Sequence, residues 1–163
     1  MSKLTQRISL AVLATAMIGA AGSTLAQDSK ADAAAAYRDI EQTLGFVPGF
    51  FRQFSETGIA GAWQEFKSVQ LNPKTELNGK VKELIGLGIA AQIPCTYCVY
   101  FHTAAAKANG ATEGEIRETI AMAAIVRHWS TVLNGAQTDL AAFKSEVDTV
   151  FRLAGEKARS AAK

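Results

Sequence analysis

The sequence predicts an all-α protein, a single domain of six to seven helices. Beyond residue 26, apolar side chains recur at intervals of three and four residues, which is the spacing along one face of an α-helix. Alternation of apolar and polar residues, the pattern of a half-buried β-strand, is almost absent. With 163 residues, 48% of them apolar, the chain is long enough for one substantial core and short for two.

Residues 1–26 have the pattern of a secretory signal peptide. Lys3 and Arg7 precede an apolar run, and small residues lead to a cleavage site between Ala26 and Gln27. An uncleaved membrane anchor is the alternative, but the run is shorter than the roughly 20 apolar residues that span a bilayer. We therefore expect a mature domain of residues 27–163, periplasmic or secreted, without a membrane span after cleavage.

The charge balance changes when the signal peptide is set aside. It holds two of the 17 basic residues and none of the 15 acidic ones, so residues 27–163 have 15 of each and no net charge. No basic cluster is left to neutralise phosphates, and we do not expect a nucleic-acid partner. Export leads to an oxidising compartment, where neighbouring thiols can persist as a disulfide.

The first half of the domain predicts two helices around an aromatic segment. The first helix ends at Gly45, and its apolar face holds Tyr37, Ile40 and Leu44. The Pro- and Gly-interrupted segment FVPGFFRQF follows it. A second helix, broken by LNP at residues 71–73, has one face that holds Ile59, Trp63, Phe66 and Val69. Trp63 and Trp129, farther along, are expected in the core or at a subunit interface.

The next helix is predicted from an N-cap at Thr75 to about Gln92. Its expected core face holds Val81, Leu84, Ile85 and Ile89. The stretch LIGLGIAA is also compatible with a buried strand, because a short apolar run does not fix its own period. The flanking charged residues extend the helical pattern and favour the helix. Pro94 then ends this helix and opens the next near Cys95.

Three more helices complete the prediction. The helix from Cys95 ends at Asn109-Gly110 with a left-handed cap. Thr112 and Glu115 form a capping box for its successor, whose buried side is expected to hold Ile116, Ile120 and Ala124. After Asn134-Gly135 comes a last helix with an apolar face of Leu140, Phe143, Val147, Val150 and Ala154.

Both cysteines of the protein lie in the segment PCTYCVYFH, residues 94–102. On a helix, residues three apart have Cα atoms about 5 Å apart, so Cys95 and Cys98 can form a disulfide without unfolding. His102 lies one turn beyond Cys98 on the same face. The unpaired amides and the dipole of a helix N-terminus favour a thiolate, which is the form of cysteine that attacks an oxidant.

Other uses of this cysteine pair fit less well. A structural disulfide across two residues removes little chain entropy, and a zinc site lacks a second Cys/His pair at ordinary spacing. Covalent haem needs histidine where Val99 stands. A thioredoxin-type motif requires a βαβ setting, whereas helices are predicted on both sides here. Redox or peroxide chemistry on a helical scaffold is favoured.

The segment ELIGLGIAAQIPCTYCVYFHTAAAKANGATEGEI resembles the alkylhydroperoxidase D (AhpD-like) branch of the carboxymuconolactone decarboxylase superfamily. Its motif E-x11-C-x-x-C-x3-H is matched at all four positions by Glu83, Cys95, Cys98 and His102. A weaker match, from LGFVPGFF through LNPKTELNGKVKEL, extends the similarity over about residues 37–135.

This resemblance implies an all-helical domain that assembles into homotrimers, hexamers or larger rings and reduces hydroperoxides through a dithiol. Cys98 would be the peroxidatic thiol and Cys95 the resolving one. His102 would accept the proton of Cys98, and Glu83 would complete the relay. The implied partners are a hydroperoxide and a dithiol reductant protein, with no cofactor and no metal.

The chain departs from the family pattern at Tyr97, where well-studied members have a second histidine. With an ordinary pKa near 10, a tyrosine is a poor base at neutral pH, so the relay is expected to be shorter or slower. The cytosolic members draw electrons from lipoyl-bearing enzymes, which an exported protein would not meet. Two alternatives stay open: a lactone decarboxylase of the same superfamily, and a non-enzymatic metal-binding or oligomeric module. His128 is expected on a helix surface.

Overall fold

The computed structural model describes residues 28–162 and confirms the all-α class, since every regular element among these residues is helical. The predicted signal peptide, residues 1–26, lies outside the described residues. Helix α1 spans 28–44 and is followed by a 3₁₀ helix, Gly49–Gln53. The remaining helices are α2 Ile59–Glu65 with a π-helical extension Phe66–Gln70, α3 Gly79–Gln92, α4 Thr96–Ala108, α5 Glu113–Gly135 and α6 Leu140–Ala161.

These elements form two compact units, which meet between residues 76 and 77 of the chain. The first unit contains α1, the 3₁₀ helix and α2, and its core holds Ala33, Ala36, Ile40, Phe51, Ile59 and Trp63. The Trp63 ring is buried, and its Nε1 donates a 2.7 Å hydrogen bond to Asp39. Lys67 binds the same carboxylate at 2.7 Å, so the buried indole N–H has a charged acceptor.

The sequence predicted the end of α1 correctly and the start of α3 wrongly. Gly45 has a positive φ of 85°, which glycine adopts without steric cost, and its N–H bonds the Glu41 carbonyl at 2.8 Å. The N-cap of α3 is Asn78, whose Oδ1 accepts from the Val81 N–H at 3.0 Å. Thr75, the predicted cap, instead donates its hydroxyl to the Asn72 carbonyl at 3.2 Å. Both residue types are good caps, and the turn before α3 selects asparagine.

In the second unit, α3 packs against both α4 and α5. Its buried stripe holds Glu83, Leu87 and Ala90, so the predicted core face was wrong. Ile85 and Ile89, expected in the core, are 48% and 56% exposed. The helix is apolar on both faces, and periodicity alone does not say which face a neighbouring helix covers.

The end of α4 and the start of α5 follow the prediction. Gly110 has φ 83°, and both hydrogen bonds of the Thr112–Glu115 capping box are present. The buried face of α5 differs, because Ile116 is buried with Ala123 while Ile120 and Ala124 are exposed. From Ile116, the steps i+3, i+7 and the steps i+4, i+8 both fit a period of 3.6, so spacing did not separate them.

Helix α6 begins after Asp139, whose Oδ1 accepts from the Ala142 N–H at 2.8 Å. The reversal before it uses a positive φ of 52° at Gln137, rather than at the Asn134-Gly135 pair where the turn was expected. The helix is amphipathic, yet it buries no side chain. Within residues 28–162, no helix has the length and apolar character that crossing a bilayer requires.

Candidate functional site

The two cysteines lie where the chain turns from α3 into α4. Cys95 is the N-cap of α4 in extended backbone conformation, and its N–H bonds the Ala90 carbonyl at 3.1 Å. Its Sγ accepts a hydrogen bond from the Cys98 N–H at 3.2 Å. A sulfur at this position satisfies one of the free amides of the helix end, as an oxygen does in an ordinary N-cap. Pro94 precedes it, which is compatible with the break between the helices.

Cys95 and Cys98 are joined as a disulfide with Cα atoms 5.3 Å apart. Both residues are half-buried. The separation is that of residues three apart at the start of a helix, so the oxidised pair is compatible with the α4 backbone.

His102 lies one helical turn beyond Cys98 and two beyond Cys95. Its Nδ1 lies 2.7 Å from Oε2 of Glu83, which comes from α3. Glu83 is 4% exposed, and the His102 side chain is 20% exposed. A carboxylate accepts a hydrogen bond from Nδ1–H, which leaves the Nε2 lone pair of the same ring free to take a proton. The arrangement is that of a base oriented by a buried carboxylate.

The aromatic residues of α4 have different positions relative to this pair. Tyr97, at the place of the second family histidine, is 88% exposed, and Tyr100 is 79% exposed. Phe101 packs the edge of its ring against His102, with centroids 5.3 Å apart. His128 lies exposed on α5 against Trp129, as predicted for a surface histidine, and Trp129 is itself 55% exposed.

The opposite face of α3 forms an apolar groove with α5. The groove has a volume of about 480 Å³, and Ile85, Ile89, Met122 and Val126 are among its lining residues. Neither cysteine lines it, nor does His102. Helix α3 therefore has two separate faces, one with Glu83 toward α4 and one that is open and apolar.

Two features of the site were not predicted from the sequence. One is the cap hydrogen bond to Cys95, which depends on the helix beginning one residue after this cysteine. The other is Gly86, which lies against the His102 ring across the α3–α4 contact. The sequence holds Gly86 and Gly88 in one apolar run and has no signal that distinguishes them.

Metal binding has no evident donor set among residues 28–162, where no three His, Cys, Asp or Glu side chains are grouped as a metal ion would require. The sulfurs at the site are shared with each other in the disulfide. The thiolate is the ligand form of cysteine, so the pair as it stands does not offer metal-binding sulfur.

Comparison with known proteins places this geometry in a family. The family model described as "Carboxymuconolactone decarboxylase family" matches residues 58–138, which include all four predicted site residues. A solved structure described as the alkylhydroperoxidase AhpD core from Rhodospirillum rubrum superposes with a TM-score of 0.61. It is 26% identical, and the match covers 71% of this chain and 88% of that one. No curated protein matches the chain. The chain belongs to the carboxymuconolactone decarboxylase family, in its AhpD-like superfamily.

Proposed function

We propose that this protein is an exported thiol peroxidase that reduces hydroperoxides through a Cys95/Cys98 dithiol–disulfide cycle. One observation carries the proposal: a cysteine pair that closes into a disulfide lies at a helix start, one turn from a histidine bound to a buried glutamate. Family membership is compatible with this reaction, and the solved relative is described as an alkylhydroperoxidase.

In the first step, the Cys98 thiolate attacks one oxygen of the hydroperoxide. An S–O bond forms and the O–O bond breaks, which gives Cys98 sulfenic acid and an alkoxide. His102 takes the thiol proton at Nε2 and returns a proton to the alkoxide, so an alcohol leaves. Cys98 is assigned this role because His102 is one turn from it and two from Cys95. Glu83 holds the imidazole by its 2.7 Å hydrogen bond.

In the second step, the Cys95 sulfur attacks the sulfenic sulfur of Cys98. The S–S bond forms, the S–O bond breaks, and the departing hydroxide takes the Cys95 proton to leave as water. The product is the disulfide seen in the structure.

A dithiol reductant protein then returns two electrons by thiol–disulfide exchange. If its thiolate attacks Cys98, the leaving sulfur is Cys95, which accepts the Cys98 N–H at the start of α4. A stabilised thiolate leaves faster, so the cap hydrogen bond assists this direction of attack. The two sulfurs are thus served by different groups, Cys95 by the helix end and Cys98 by His102.

Peroxide consumption by the purified protein, with dithiothreitol as a generic dithiol, tests the proposal. Cys98→Ser should abolish consumption and leave no sulfenic acid for a dimedone-type trap. Cys95→Ser should still undergo the first oxidation, accumulate sulfenic acid at Cys98 and then stall. The opposite result would reverse the two roles. Consumption at the parental rate in both variants would show that the pair is structural and that the proposal is wrong.

The cellular setting and assembly belong to the same proposal. Residues 1–26 have the pattern of a signal peptide, which supports a periplasmic or secreted location. Large apolar side chains on α3, α5 and α6 are exposed, which supports a homotrimer or hexamer.

A further inference from the structure

The contact between Gly86 and His102 is closer than an ordinary packing contact. A Cβ built on Gly86 would overlap the imidazole, because Cε1 and Nδ1 lie inside van der Waals distance and Cγ is 2.8 Å away. At Gly88, two residues on, the same construction meets only Thr119 Cγ2 at 3.7 Å, an ordinary contact. Neither glycine has a positive φ, so Gly86 is distinguished by the space it leaves free.

The ring atoms nearest Gly86 include Nδ1, which is the atom bound to Glu83. Glu83 and Gly86 are three residues apart on α3, so they are neighbours on the same face. The carboxylate and the missing side chain therefore act on the same edge of the imidazole, and Nε2 is farther from α3 than this edge.

We infer that Gly86 is a positioning residue: the absence of a side chain there creates the seat in which His102 meets Glu83. The helices cannot readily separate to admit a methyl group, because Leu87, Ala90 and Ala106 are at most 1% exposed in their packed contact. The ring yields instead, and it loses the Nδ1 hydrogen bond. The consequence for catalysis rests on the proposed function, whereas the seat itself does not.

Gly86→Ala, with Gly88→Ala as matched control, tests the seat by stability. Alanine in a helix interior is ordinarily more stable than glycine, so Gly88→Ala should raise the urea midpoint. Gly86→Ala should lower it in the parent and raise it in a His102→Ala background, where the ring is gone. This reversal of sign distinguishes a clash with His102 from a general defect of α3. If Gly86→Ala raises the midpoint in both backgrounds, the inference is overturned.

The nitrogen chemical shifts of the imidazole give a second measurement that does not depend on turnover. The sequence has two histidines, so the exposed His128 serves as an internal reference. Gly86→Ala should remove the pattern of an Nδ1-protonated ring from His102 and leave His128 unchanged. Gly88→Ala should change neither. An unchanged His102 pattern in Gly86→Ala would overturn the inference.

The rate of Cys98 oxidation by peroxide separates the seat from the proposed function. If both hold, Gly86→Ala slows the first oxidation by about 10²-fold, the lower range for a general base, and does not slow His102→Ala further. If the ring is displaced and the rate is parental, the seat is confirmed and the relay through His102 is wrong.

Discussion

Glu83 is the buried charged side chain of residues 28–162. Burial of a carboxylate is costly unless a charged or hydrogen-bonding partner offsets the lost hydration, and His102 is such a partner at 2.7 Å. Two apolar residues of matching shape would fill this place between α3 and α4 without that cost. A buried pair beside a reactive cysteine is therefore better explained by proton transfer than by stability.

His102→Ala and Glu83→Ala should each slow the first oxidation of Cys98 by about 10²- to 10⁴-fold, since they remove the proton acceptor or its orientation but keep the nucleophile. Glu83→Gln should lie between the parent and Glu83→Ala, because an amide oxygen still accepts from Nδ1–H without the charge. Stopped-flow measurement of thiol loss at a fixed peroxide concentration gives the rates.

Higher pH should partly rescue these variants, since an unperturbed thiol titrates near 8.5 and ionises without help. His128→Ala is the matched control, because His128 is the exposed histidine of α5, and it should retain the parental rate. Equal rates in His102→Ala and His128→Ala would exclude His102 from the relay.

At this scale the sequence was informative about the site because the positions are local. Cys95, Cys98 and His102 lie on one helix, and their spacing fixes which of them share a face. Their contact with Glu83 came from the family motif, since no spacing rule joins two different helices. The packing of Gly86 on His102 also crosses between helices, and neither periodicity nor motif contained it.

At the scale of helices, boundaries were predicted better than faces. Gly45, Gly110 and the Thr112–Glu115 box act within a few residues, so their sequence signals were sufficient. The buried faces of α3 and α5 depend on which neighbour packs there, and each helix has apolar residues on more than one side. The buried Glu83 also counts against the correct face in any reading by hydrophobicity.

Asn78→Ala should destabilise the fold by about 1 kcal/mol, the usual cost of losing an N-cap. The Asn78 side chain accepts from Val81 N–H at the start of α3, the helix that carries Glu83. Thr75→Ala is the matched control for the rejected cap, and it should cost less, since Thr75 donates to a turn carbonyl instead. Urea unfolding of the variants measures both. A larger loss in Thr75→Ala would contradict the cap assignment.

The start of α5 should respond to acid through Glu115. The Lys80 ammonium, 2.7 Å away, and then the Thr112 N–H lower the pKa of this carboxyl from its ordinary value of 4.5. Because the folded pKa is the lower one, the unfolded state binds more protons in acid, and the stabilisation present above pH 4.5 is lost as pH falls through the folded pKa.

Glu115→Gln should therefore lower the urea midpoint at pH 7, and its difference from the parent should shrink as the pH is taken from 5 to 3. Glu118→Gln, an exposed position on the same helix, is the control and should show a smaller difference at pH 7. A difference between Glu115→Gln and the parent that stayed constant with pH would show that the ion pair does not contribute through ionisation.

For the whole molecule, the exposed apolar surface is the feature that a single chain leaves unexplained. Ile85, Ile89, Met122 and Val126 line the open groove between α3 and α5, and each is at least 48% exposed. On α6, Val150 and Phe151 are 61% and 73% exposed. Burial of such a side chain contributes roughly 1.5–3 kcal/mol, so a few of them supply the core of a stable interface.

We expect the protein to form a homo-oligomer, with the apolar face of α6 in the interface. Light scattering across a range of protein concentrations should give a multiple of the monomer mass. Phe151→Glu should shift the protein toward monomer, because a charge buried in an apolar interface is costly. Ser145→Glu, on the opposite side of α6, is the matched control and should keep the assembly. A monomer at every concentration would contradict the expectation, and an assembly unchanged by Phe151→Glu would place the interface elsewhere than on α6.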